Sequence, residues 1–347
     1  MSGSKVPYHL RVNKYVDRQL FMEVMDYLAR CQSIRDMAYI SMGGGYLEDF
    51  RVLHQAYGIR KMLSFDMDEW MRKRQEVNKP YGFINCRRAS STEVIAEFDS
   101  IRRELVGDEG RVIFWLDYTE ADMRYDQLVD LEQLTKKLIP GDVFRITMNA
   151  HRPNYGNIDA FRLAKKAEET EVDDLPAWWN LKVVEQLKEY MPSDRKGAEF
   201  IDSAYEFAVT LARAIKMAAQ NGIKSRSSLM IEPLLSVVYA DKQQMITITG
   251  MVLERASRDV YLERARWNEW KRQPGEEWDR FTQLSVPHLS VRERLQIHEL
   301  MEAEGEPEYV SKLAFRLDGS EDSHADLVLQ YVAHYRRYPT FAPVDNM

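Results

Sequence analysis

Between residues 37 and 150 the chain alternates short apolar runs with amphipathic stretches, and this alternation constrains the fold more than any other feature. "MAYISM" (37–42), "KMLSFDM" (61–67), "GFINC" (82–86), "RVIFWLDY" (111–118) and "DVFRITMN" (142–149) read as strands. Between them apolar residues recur at helical spacing: Tyr46, Phe50, Leu53 and Tyr57; Val94, Phe98, Ile101 and Leu105; Leu128, Leu131, Leu134 and Leu138. Strands that alternate with helices pair in parallel, with crossover helices on both faces. The pattern predicts a doubly wound, Rossmann-like α/β sheet. Such sheets bind ligands at the carboxyl ends of their strands, near the switch point.

The remainder modifies that sheet. Residues 228–254 read as two strands joined by the polar turn "ADKQQ", which predicts a terminal antiparallel hairpin. Residues 151–226 read as a helical insertion leaving the ligand side of the sheet, placed to act as a lid, with Gly222 as a helix C-cap. The expected organisation is an N-terminal helical arm (1–36), an α/β domain (37–255) holding the insertion, and a mainly helical C-terminal extension (256–347). Trp267, Trp270 and Trp278 in that extension read as packing residues. Ser90 with Glu93 and Ser290 with Glu293 form capping boxes, which satisfy free N–H groups at helix starts.

Composition excludes some functions. A net charge of −7 offers no global attraction to nucleic acid. Cys31 and Cys86 are the only cysteines, at no zinc spacing, and no metal site is expected. Two thiols in 347 residues suit a reducing compartment, and no apolar run approaches a membrane span, so a cytoplasmic protein is expected.

The first strand ends in "SMGGGYLED", where Gly43, Gly44 and Gly45 let a ligand approach the backbone without meeting a Cβ. A dinucleotide, a nucleoside such as S-adenosylmethionine, or a bare turn all fit that feature. A dinucleotide fingerprint needs a third glycine where Glu48 stands. Glu48 and Asp49 in the first helical turn also repel a pyrophosphate. S-adenosylmethionine carries no phosphate and a positive sulfonium. Asp66, at the end of the second strand, has the position of a ribose-binding acid, with Met67 beside it, while Asp68 reads as a helix cap. "LDYT" ends the fourth strand. Asp117 there is a candidate for catalysis and for cofactor contact, with a buried acid paired to an arginine as its alternative. Tyr118 is a candidate for catalysis or for one wall of the acceptor pocket, with core packing as its alternative. His151 is a candidate base with an exposed loop as its alternative, and His54 reads as packing. Asn13, Lys14 and Arg18 lie in a polar run for which a surface position is sufficient.

Taken together, "YHLRVNKYVDRQLF", "SMGGGYLEDFRVLH", "FWLDYT" and "LSVPHLSVRERL" resemble a bacterial family of O-methyltransferases across nearly the whole chain. The resemblance implies a class I methyltransferase fold and S-adenosylmethionine as cofactor, with an unassigned methyl acceptor. It also implies relatives near genes suspected of antiphage defence. Methyltransferases usually carry an acid two residues before the first glycine; here that position is Ser41, whose hydroxyl supplies no charge. A cofactor- or nucleotide-binding subunit without turnover, working with a partner protein in an assembly, is the alternative. A dehydrogenase is disfavoured by Glu48. Neither an Asn-Pro-Pro-aromatic signature nor a Pro-Cys nucleophile is present, which disfavours DNA base methylation.

Overall fold

Strands form where the apolar runs lie: β1 (Ala38–Ser41), β2 (Lys61–Asp66), β3 (Ile84–Arg88), β4 (Val112–Asp117), β5 (Val143–Asn149), β6 (Leu229–Ala240), β7 (Gln244–Glu254) and β8 (Thr282–Leu284). The computed structural model describes residues 11–196, 203–303 and 308–339. The strands make one eight-stranded sheet in the order β3-β2-β1-β4-β5-β7-β6-β8. β1 to β5 are parallel, and the order reverses between β1 and β4. β7 runs antiparallel between β5 and β6, as the hairpin predicts. This is the expected doubly wound, Rossmann-like sheet with its terminal antiparallel hairpin, and β8 is added at the edge, parallel to β6. The extension was expected to be mainly helical; β8 is only "TQL", too short and polar to announce a strand.

The helices are α1 (Val12–Leu28), α2 (Glu48–Tyr57), α3 (Glu69–Asn78), α4 (Ser91–Ala96), α5 (Phe98–Val106), α6 (Arg124–Lys137), α7 (Ile158–Lys166), α8 (Leu175–Leu187), α9 (Ala204–Ile223), α10 (Arg258–Ala265), α11 (Val291–Ala303), α12 (Glu308–Lys312) and α13 (Glu321–His334). One sheet face presents Ile40, Phe114 and Ile146 to Phe98, Leu131 and Leu211 of α5, α6 and α9. The other presents Tyr39, Ile113, Trp115 and Val143 to Leu20, Phe21 and Val24 of α1 and to Phe50 of α2. β4 is therefore buried on both sides, which is why its sequence is apolar without alternation. Trp267, Trp270 and Trp278 are packing residues, all buried.

Local signals hold in part. Ser90 closes its capping box and Asp68 accepts from the Met71 N–H at the start of α3. Ser290 and Glu293 exchange their two bonds at the start of α11. Gly222 is a correction: it lies inside α9, not at its C-cap. A Cβ there would stand 1.9 Å from Thr135 Oγ1 and 2.5 Å from the Glu132 carbonyl, so glycine lets α9 close on α6. The insertion expected over 151–226 divides for the same reason. α7 and the start of α8 share a small core of Phe161, Ala164 and Trp178, whereas α9 and the end of α8, through Val183 and Leu187, belong to the main core under the sheet. Among the described residues no helix is long and apolar enough to cross a membrane.

Candidate functional site

The turn between β1 and α2 needs its glycines for different reasons. Gly43 and Gly44 adopt left-handed φ values of 69° and 57°. A Cβ on Gly43 would stand 2.5 Å from Ser64 Oγ and 2.6 Å from Leu47 Cδ2, so the fold itself requires that glycine. Gly45 has no positive φ, and the atoms nearest a Cβ there belong to the flexible Arg74 side chain, from 3.2 Å. Its bare backbone is not demanded by the turn. α3 braces the loop: Gln75 Nε2 donates to the Met42 carbonyl at 2.8 Å, and Asn78 Nδ2 to the Gly45 carbonyl at 2.7 Å.

Asp66 is half-buried at the end of β2. Its Oδ1 accepts from the Asp68 N–H at 2.8 Å, and among the described residues Oδ2 has no protein donor. Burial pushes its carboxyl up, the Asp68 N–H opposes this, and the charges of Asp68 and Glu120 add to it. Met67 beside it is 67% exposed, Trp70 75% and Met123 47%, an apolar fringe on the loops and helix starts at this edge.

By strand alternation Ser41, Asp66 and Asp117 share one face, the side covered by α1. The α1 residues expected on the surface are buried here. Lys14 Nζ donates to Asp117 Oδ2 at 3.2 Å, and Arg18 Nη2 lies 3.8 Å from the same oxygen. Arg18 also forks onto Asp49 of α2 through Nε and Nη2. Glu48 is paired with Arg51, so both acids in the first turn of α2 are compensated and the repulsion argument against a pyrophosphate weakens. Burial alone would raise the Asp117 carboxyl; Lys14 and Arg18 outweigh it and hold the group below the usual carboxylate range. Asp117 Oδ1 is buried without a hydrogen-bond partner. The Ser41 and Tyr39 hydroxyls influence one another without closing a hydrogen bond of ordinary geometry.

A sequence family described as "Putative O-methyltransferase" matches residues 6–346. The chain belongs to this methyltransferase family. Among solved structures, a putative sarcosine dimethylglycine methyltransferase from Galdieria sulphuraria is similar over 70% of this chain and 85% of that one, at 14% identity and a TM-score of 0.31. No curated protein is a match.

Tyr118 points away from Asp117, to the opposite face, where its hydroxyl donates to Asp130 Oδ2 at 2.7 Å. Ser91 and Thr92 donate to the same carboxylate, so Tyr118 fastens β4 to α4 and α6 and does not stand beside Asp117 as a pocket wall. His151 is half-buried after β5, and burial together with Arg124 pushes its imidazole down. Arg124 itself is enclosed, donating to the carbonyls of Asn149 and Ala121 and to Gln186. That network ties α6 to α8 behind the strand ends. His54 packs against the stacked rings of Tyr81 and Phe83, its Nδ1 2.8 Å from the Ile59 carbonyl.

Proposed function

We infer that the protein binds S-adenosylmethionine across the carboxyl ends of β1, β2 and β4 and transfers its methyl group to an oxygen of an unassigned acceptor. The observation that carries this reading is the placement of Ser41, Asp66 and Asp117 on one face around a glycine turn whose Gly45 the fold does not require. Gly43, Gly44 and Gly45 would lie against the amino-acid tail. Asp66, with Oδ2 spare, would accept from the ribose hydroxyls. Exposed Met67 would lie along the adenine. The family description supports the oxygen acceptor.

S-adenosylmethionine supplies an activated methyl group, so the protein's task is alignment of acceptor and cofactor. Asp117 suits binding better than proton removal, because a carboxylate held as an anion by Lys14 and Arg18 is a weak base. The same engagement of Asp117 favours, as a second reading, a cofactor-binding subunit without turnover. Hydrogen exchange with S-adenosylhomocysteine tests the site: protection is expected in the loops after β1 and β2, and protection absent from both would overturn the reading. Transfer of labelled methyl from S-adenosylmethionine into a metabolite extract separates the enzyme from the silent binder.

A further inference from the structure

Asp117 is occupied by a cation supplied by the chain itself. The Lys14 ammonium sits on its Oδ2 at 3.2 Å, while Oδ1 has no hydrogen-bond partner. A lysine ε-ammonium and the α-ammonium of an amino-acid tail have the same charge and the same three donors. Two such groups crowded on one buried carboxylate, with Arg18 3.8 Å from the same oxygen, would repel each other in a poorly screened setting. Resting on the cofactor reading above, we propose that Lys14 is an internal stand-in for the cofactor's α-ammonium, filling Asp117 in the unliganded protein and yielding it when the cofactor binds.

The exchange requires movement of one side chain, not of α1. The helix is fixed independently at its start: the backbone N–H groups of Asn13 and Lys14 donate to Asp241 Oδ1 and Oδ2, each at 3.1 Å. Asn13 Oδ1 accepts from the Val286 N–H at 2.8 Å, and Val16, Leu20, Phe21 and Val24 pack into the core. The lysine stem is flexible enough to withdraw from a fixed helix. Burial also pushes the Lys14 ammonium below its ordinary value, against the pull of Asp117, which eases its surrender of the carboxylate. The arrangement keeps Asp117 compensated in the empty protein and lowers apparent affinity for ligands bearing an ammonium tail. A nucleoside lacking the tail meets no such competition.

Calorimetric titration of wild type, Lys14→Met and Lys14→Gln with S-adenosylhomocysteine and with 5′-methylthioadenosine tests this. Removing the competitor is expected to tighten S-adenosylhomocysteine about ten-fold in Lys14→Met. Lys14→Gln, whose neutral amide still donates to Asp117 and protects the fold, is expected to tighten it less. 5′-Methylthioadenosine is expected to bind all three proteins equally. Weaker S-adenosylhomocysteine binding in both variants would make Lys14 a direct cofactor contact and overturn the proposal. Unchanged binding of both ligands would reduce the pair to scaffold and overturn it too. If wild type binds neither ligand, the cofactor reading itself fails.

Discussion

Arg145 of β5 and Asp17 of α1 meet at 2.6 Å with both side chains fully enclosed. Arg145 also donates to Thr249 Oγ1 at 2.7 Å and lies over the rings of Trp115 and Phe21. Such a pair adds little net stability, but removing one partner strands the other charge. Asp17→Ala is expected to lower unfolding free energy by about 3–5 kcal/mol. The double replacement Asp17→Leu with Arg145→Met is expected to recover most of that. Urea unfolding of both proteins decides the matter; a double variant as weak as the single one would contradict the stranded-charge explanation.

Gly222 tests the seam between α6 and α9. In a solvent-facing helix, glycine to alanine gains about 1 kcal/mol. Here the added methyl would collide with Thr135 Oγ1 and the Glu132 carbonyl, so Gly222→Ala is expected to cost roughly 1–3 kcal/mol. Thr135→Ala in the same chain is expected to return part of it. A stabilised single variant, judged by melting temperature, would refute the close approach.

His334, at the end of α13, has an enclosed ring whose Nδ1 lacks a partner. Burial, then the charges of Arg272 and Arg337, lower its pKa from 6.5 to about 4. Between those values the unfolded chain binds the extra proton and the folded chain does not, so stability falls as pH falls through that window. The loss attributable to His334 is at most about 3.5 kcal/mol, from roughly 1.4 kcal/mol per pH unit. His334→Gln is expected to flatten the unfolding free energy between pH 6.5 and 4. An unchanged slope would mean that the imidazole titrates normally.

The sheet was legible because β4 is buried on both faces, and such a strand is written as a continuous apolar run. Gly43 and Asp66 were legible because chain position alone puts them at strand ends. Lys14 and Arg18 were not: nothing local marks a pairing with Asp117, about a hundred residues away, and an isolated charge in a sequence reads as a solvated one. Tyr118 was misjudged by one residue of strand alternation, since neighbours along a strand face opposite ways. Gly222 matched a helix terminus in sequence, and its packing partner lies on another helix.

The two ends of the glycine turn are expected to separate under mutation. Gly43→Ala places a Cβ at left-handed φ within 3 Å of three neighbouring side chains and is expected to destabilise the fold by roughly 1–3 kcal/mol. Gly45→Ala meets the movable Arg74 side chain first and is expected to keep the melting temperature within a few degrees while weakening S-adenosylhomocysteine binding. If Gly45→Ala binds as well as wild type, the ligand does not touch that backbone.

In the proposed complex a nucleoside cofactor sits over the glycine turn with its ribose on Asp66. Calorimetric titration of wild type and Asp66→Ala with S-adenosylhomocysteine addresses it most directly. The expected result is saturable one-site binding to wild type and a loss in the variant of one or two hydrogen bonds to a charged acceptor, roughly 1.5–3 kcal/mol each. No binding to folded wild type, or an unchanged dissociation constant in Asp66→Ala, would contradict the account.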